Sequence, residues 1–175
     1  MSDLKAQLSQ LWNQIVEVEA EINKFTEFQE PAPITNPPAT ASEINALKHH
    51  LGLTLAPSYR EFLGLFNGMQ NFEGDMPLLS THEIIAGEQG WVEEIEEESP
   101  ELARFYIAGS DETNAGYYVF DCDKISGDGE MEIVHLTLNL QEYRWTSFLE
   151  MLQDRLKRSS DLLKKEIADR EMLED

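Results

Sequence analysis

Residues 41–69 read ASEINALKHHLGLTLAPSYREFLGLFNGM. Ile44, Leu47 and Leu51 recur at helical spacing, which puts them on one face of a first helix. Thr40 and Glu43 have capping-box spacing, so each can satisfy a backbone N–H that the helix start leaves orphaned. Gly52 follows the last apolar position, where a left-handed residue ends a helix at least cost. Pro57 suits the first turn of a second helix, where a missing N–H is harmless. Tyr59, Phe62, Leu63 and Phe66 then form a wide apolar stripe, and Asn67-Gly68 is the expected stop. Taken alone, the stretch is a helical hairpin at the edge of a core.

Further along, IAGSDETNAGYYVFD (residues 107–121) reads as strand, turn and strand. The two blocks, in this order, resemble the SMI1/KNR4 family, also called SUKH. The first block matches through Ser42, Glu43, Ile44, Leu47, Leu51, Gly52, Leu55, Pro57, Tyr59, Phe62, Leu63, Asn67 and Gly68. The second matches through Gly109, Asp111, Gly116 and Asp121, with a slightly longer turn. Lys48 stands where an acidic residue is common, and Ala56 is an extra residue between Leu55 and Pro57. The resemblance covers roughly residues 34–152 and leaves both ends outside.

The 175 residues suit one domain with extensions. An apolar fraction of 41% is sufficient for a core. The net charge of −21 argues against nucleic-acid backbones and anionic membranes as partners, since both would repel the chain. It favours a basic partner, or simply solubility. The lone Cys122 rules out an internal disulfide and fits a reducing cytoplasm. The start, MSDLKAQLSQLW, lacks the apolar run of a secretory leader, so a cytoplasmic location is expected.

In chain order, Leu4, Leu8, Leu11, Ile15, Val18, Ile22 and Phe25 keep a heptad seam, widened by Trp12, Val16 and Phe28. The seam predicts a helix over 3–28 that either docks on its own domain or makes a homodimer. Glu17, Glu19 and Glu21 fall on other sides and are expected in solvent. Pro31, Pro33, Pro37 and Pro38 break the helix and predict an extended linker. After the hairpin, Gly74 and Pro77 mark a loop, Met76–Leu79 a short strand, and Ser80 or Thr81 a cap for a helix through Glu83 and Ile84. Strands are predicted at Phe105–Ala108, Tyr117–Phe120 and Met131–Leu138, joined by turns in which Gly127 and Gly129 supply positive φ. The closing helix is predicted from Trp145 to Leu173, capped by Thr146. From Asp154 onward basic and acidic residues nearly balance, so almost all the net charge lies before it.

Recognised catalytic and metal patterns are missing. There is no Gly-x-Ser-x-Gly elbow, phosphate loop or dinucleotide glycine pattern. Cys122 and His135 are a weak nucleophile pair. His49 and His50 are adjacent and point about 100° apart on a helix, and His82 and His135 lack ligand spacing. Asp121, Asp123, Asp128 and Glu130 suggest calcium. A loop starting at Asp121, however, has Ser126 where an EF-hand needs glycine and Ile125 where it needs a ligand. No cofactor and no metal are expected.

The expected architecture is α+β: a small, mostly antiparallel sheet flanked by helices, with an N-terminal heptad helix and an extended C-terminal helix. The expected divisions are 1–29 (amphipathic helix), 30–40 (linker), 41–153 (SMI1/KNR4-like domain) and 154–175 (helical extension). The resemblance implies a non-enzymatic binding module. Bacterial members include immunity proteins that neutralise a toxin domain, often a nuclease or nucleic-acid deaminase. The acidic run Glu93, Glu94, Glu96, Glu97 and Glu98, together with Asp111, Glu112 and Asp75, is the expected contact surface for a basic toxin. The alternative is a scaffold or regulatory module acting through its terminal helices, as in fungal members.

Overall fold

The computed structural model describes residues 3–26, 30–74, 76–87, 105–110, 116–137 and 142–174. Among these are helices α1 (Asp3–Ile22), α2 (Ala41–Leu51), α3 (Pro57–Leu63), α4 (Thr81–Ala86) and α5 (Phe148–Glu174). The strands are β1 (Ile34–Thr35), β2 (Met69–Glu73), β3 (Met76–Leu78), β4 (Phe105–Ser110), β5 (Gly116–Ile125), β6 (Met131–Thr137) and β7 (Glu142–Trp145). The strands form one seven-stranded sheet in sequential order, and every neighbouring pair is antiparallel. The fold is therefore α+β, as the strand and helix patterns predict.

Local signals set the helix starts. At α2, Thr40 accepts from the Glu43 N–H while the Glu43 carboxylate accepts from the Thr40 N–H, and Gly52 closes the helix at φ 65°. The same reciprocal box recurs at α4 between Ser80 and Glu83, which makes Ser80 the cap. Such a cap contributes about 1 kcal/mol. Helix α3 has Pro57 in its first turn but no cap of its own. Instead the Glu130 carboxylate, reaching in from the β5–β6 turn, accepts from the Ser58 N–H at 2.8 Å and from the Ser58 hydroxyl at 2.7 Å.

The core lies between α3, the sheet and the two terminal helices. Tyr59, Phe62, Phe72, Phe120 and Phe148 are all fully buried. Phe62 and Phe148 rings meet at 4.9 Å, and Trp12 stacks on Phe72 at 5.6 Å with 8° between planes. Each such ring pair adds about 0.5–1.5 kcal/mol beyond the area it buries. Leu8, Leu11, Trp12, Ile15 and Ile22 of α1 are buried, so the heptad seam is taken up within the chain, against α3 and α5.

Several elements depart from the sequence expectations. Helix α1 ends at Ile22, not Phe28, and Asn23 and Glu30 are joined by a reciprocal side-chain to backbone pair at 3.0 and 3.1 Å. The Pro-rich linker contains β1, which pairs Ile34 with Gln70. Helix α3 stops at Leu63 because Leu65 and Phe66 both donate to the Phe62 carbonyl at 2.8 Å, which tightens the chain out of the helix. Asn67 is then a connector: its amide oxygen accepts from the Thr81 N–H, its amide nitrogen donates to the Thr81 hydroxyl, and its carbonyl accepts from Asn36. Strand β2 replaces part of the predicted loop, with Asn71 at φ 55° inside it. Of Gly127 and Gly129, only Gly129 has positive φ. Strand β7 occupies the residues before α5, and Ser147, not Thr146, receives the Glu150 N–H, while the Glu150 carboxylate accepts from Thr146. Ile133 and Val134 are both fully buried, so β6 is covered on both faces.

Candidate functional site

All eight residues expected to contact a basic toxin (Glu93, Glu94, Glu96, Glu97, Glu98, Asp111, Glu112 and Asp75) lie outside the described residues. What the described residues do contain is a cleft of about 270 Å³ between α1, β2 and α5.

The cleft has three sources. Glu19, Ile22, Asn23, Thr26 and Glu30 come from the end of α1 and the turn after it. Glu73 ends β2. Arg155, Arg158, Ser159 and Leu162 follow one another along one side of α5. A smaller recess of about 60 Å³ adjoins it and shares Glu19, Asn23, Glu30 and Arg155.

Arg155 anchors the cleft. It is only 4% exposed. Its Nε and Nη2 donate to the two Glu19 carboxylate oxygens, each at 2.9 Å, a bidentate fork that fixes both side chains. The Ser159 hydroxyl also donates to Glu19, at 3.3 Å. The Arg155 Cζ lies over the Phe72 ring at 4.7 Å and the Trp12 ring at 5.5 Å, so the guanidinium also gains cation–π attraction. Among the described residues its remaining nitrogen, Nη1, is buried without a hydrogen-bond partner, and so is the Thr26 hydroxyl.

Beside it, Glu73 accepts from Arg158 Nη1 at 3.3 Å and from the Tyr118 hydroxyl in a short hydrogen bond. Burial pushes the Glu73 carboxyl up. Arg155, the Tyr118 hydrogen bond, Arg158 and His135 outweigh that and hold it below the usual glutamate range. Burial and the Glu73 charge together push the Tyr118 hydroxyl well above the usual tyrosine value, so Tyr118 is a neutral donor. Arg158 also donates to Asp154 at 3.1 Å, and Asp154 accepts from the Trp145 indole at 3.2 Å. The expectation that Glu19 sits in solvent is thus corrected. Its partner lies 136 positions away, and no local pattern reveals it.

The other candidate groups are dispersed. Asp121 is fully buried and paired with Arg144 at 3.3 Å, Glu130 caps α3, and Asp128 is held by Ser126. Among the described residues no cluster of three or more His, Cys, Asp and Glu side chains is placed to hold a metal. His135 pairs in register with Tyr118, four residues along β5 from Cys122 and so about 13 Å away, out of reach for a nucleophile and base. His49, His50 and His82 are exposed on α2 and α4. No described helix is long and apolar enough to cross a membrane.

Set against known proteins, the profile of the SMI1 / KNR4 family (SUKH-1) matches residues 38–154. No curated protein matches the chain. Of the ten residues lining the cleft, Glu73 alone lies within the matched span.

Proposed function

The chain belongs to the SMI1/KNR4 (SUKH-1) family, and from that premise we propose that it is a non-enzymatic immunity protein that binds and neutralises a bacterial toxin domain of the nuclease or deaminase type. The observation that carries this reading is the combination of that domain with a net charge of −21. A toxin that holds nucleic acid presents basic surface. An acidic partner would be steered onto it, which raises the association rate more than the final affinity. The proposed recognition residues are Glu93, Glu94, Glu96, Glu97, Glu98, Asp111 and Glu112, with Asp75 beside them. The proposed setting is the cytoplasm.

Association with a candidate nuclease or deaminase toxin domain, followed by stopped flow at several salt concentrations, tests the reading. Reversing the five glutamates of residues 93–98 to lysine should slow capture by roughly tenfold or more at low salt and flatten its salt dependence. Unchanged kinetics, or no protection of cells that express the toxin, would sink it.

A second reading is an interaction scaffold working through the terminal helices. It draws on Leu162, Ile167 and Met172, which stand 43%, 39% and 78% exposed along α5. If these residues make an assembly, changing Leu162 and Ile167 to lysine lowers the mass in solution. An unchanged monomer leaves the immunity reading ahead.

A further inference from the structure

Arg155 Nη1 and the Thr26 hydroxyl, both buried without a partner among the described residues, belong to residues that line the same cleft. Leaving such groups unpaired costs about 1–3 kcal/mol each, more where charge is involved, so a site of this kind points to an occupant.

The charges say what kind. Glu19 is matched by Arg155 and Glu73 by Arg158. That leaves the exposed Glu30 carboxylate as an acceptor and the unpaired Arg155 Nη1 as a donor. A simple anion would leave Glu30 unmatched and face a lining with three carboxylates against two guanidinium groups. A simple cation would leave Nη1 unpaired. A ligand carrying both charges satisfies both ends. Ile22 and Leu162 add apolar wall for a short aliphatic group. The volume, about 270 Å³, exceeds the roughly 150 Å³ cavity that takes benzene, so a molecule of this size fits.

We infer that the cleft between α1, β2 and α5 binds a free α-amino acid, its carboxylate received by Arg155 Nη1 and Thr26 and its ammonium by Glu30. The site stands apart from the immunity reading. It is built almost wholly from segments outside the matched family span, so it belongs to this chain's extensions.

Calorimetry on the full chain tests it, with L-leucine as probe and acetate and isoamylamine as single-charge controls. Leucine should bind. Thr26→Val and Glu30→Gln should each weaken it by roughly tenfold, the loss of one hydrogen bond to a charged group. Glu30 is exposed, and circular dichroism on both variants checks that the fold is kept. Arg155→Lys, which keeps the charge but loses the fork, should abolish binding. Acetate and isoamylamine should bind at least tenfold more weakly than leucine. No heat with leucine, undiminished binding in Thr26→Val and Glu30→Gln, or acetate binding as tightly as leucine would each overturn the inference.

Discussion

The carboxylate of Glu19 and the guanidinium of Arg155 meet fork to fork at 2.9 Å, although 136 positions separate them in the chain. The pair ties α1 to α5 at the cleft, and Arg155 is only 4% exposed. Glu19→Ala leaves an uncompensated buried charge, so the chain should lose about 3 kcal/mol. Urea unfolding measures this as a lower midpoint at unchanged slope. A loss under about 0.5 kcal/mol would mean that the pair behaves like an exposed ion pair.

Helix α1 lies before the matched family span, yet its stripe is core. Leu8 and Ile15 are fully buried, and Trp12 stacks on Phe72. Trp12→Ala should cost about 3–5 kcal/mol. The melting temperature should fall by about 10 °C, given about 2–4 °C per kcal/mol for a chain of this size. Differential scanning calorimetry checks it, and a melting point within 2 °C of the parent would show α1 to be a detachable appendage.

Two glycines separate backbone strain from space. Gly52 and Gly68 both have positive φ, 65° and 79°. A Cβ at Gly52 meets nothing within 4 Å, while one at Gly68 would meet Ser80 N at 2.5 Å and Leu78 O at 2.8 Å. Gly52→Ala should therefore cost about 1–2 kcal/mol, the left-handed penalty alone. Gly68→Ala should cost clearly more, because the α4 cap and the β3 end must move as well. Chemical denaturation of the two variants side by side decides it, and equal losses would show that the Gly68 contact relaxes freely.

Glu73 sets a pH dependence whose sign follows from its lowered pKa. A carboxylate held below its unfolded value stabilises the fold above the unfolded pKa, about 4.3 for glutamate, and loses that stabilisation as pH falls through the folded value. Glu73→Gln should thus be less stable than the parent at pH 7, and the gap should close as pH falls below about 4.5. Denaturant midpoints from pH 7 to 3 measure this, and a gap that does not change with pH would place the Glu73 contribution outside its charge.

The parts of the fold legible in the sequence are those set by neighbours in the chain. Thr40 with Glu43, Ser80 with Glu83, Gly52 and Pro57 act within a few residues, and the structure places each as the spacing implies. The strands around Tyr118 and Ile133 announce themselves by β-branched and aromatic runs. Strand β2 does not, because Asn71 at φ 55° and Gly74 look like loop residues and its strand character comes from pairing with β1 and β3. Strand β7, EYRW, abuts the Ser147–Glu150 cap, and only its last residue, Trp145, falls within the predicted closing helix. The cleft was not legible. Glu19, Glu73, Arg155 and Arg158 each look like ordinary solvated charges, and only long-range packing brings them together.

The seven strands follow one another across the sheet, so each can join the edge left by its predecessor as the chain leaves the ribosome. Helix α1 has the opposite history. Arg155, over which Trp12 and Glu19 close, arrives 136 residues after Glu19. Phe62 and Phe72 reach Trp12 sooner, but at about 5–20 residues per second the side of α1 that meets α5 waits on the order of ten seconds. During synthesis, then, the vulnerable surface of this protein is its first helix, and α5 is the latch that ends the exposure.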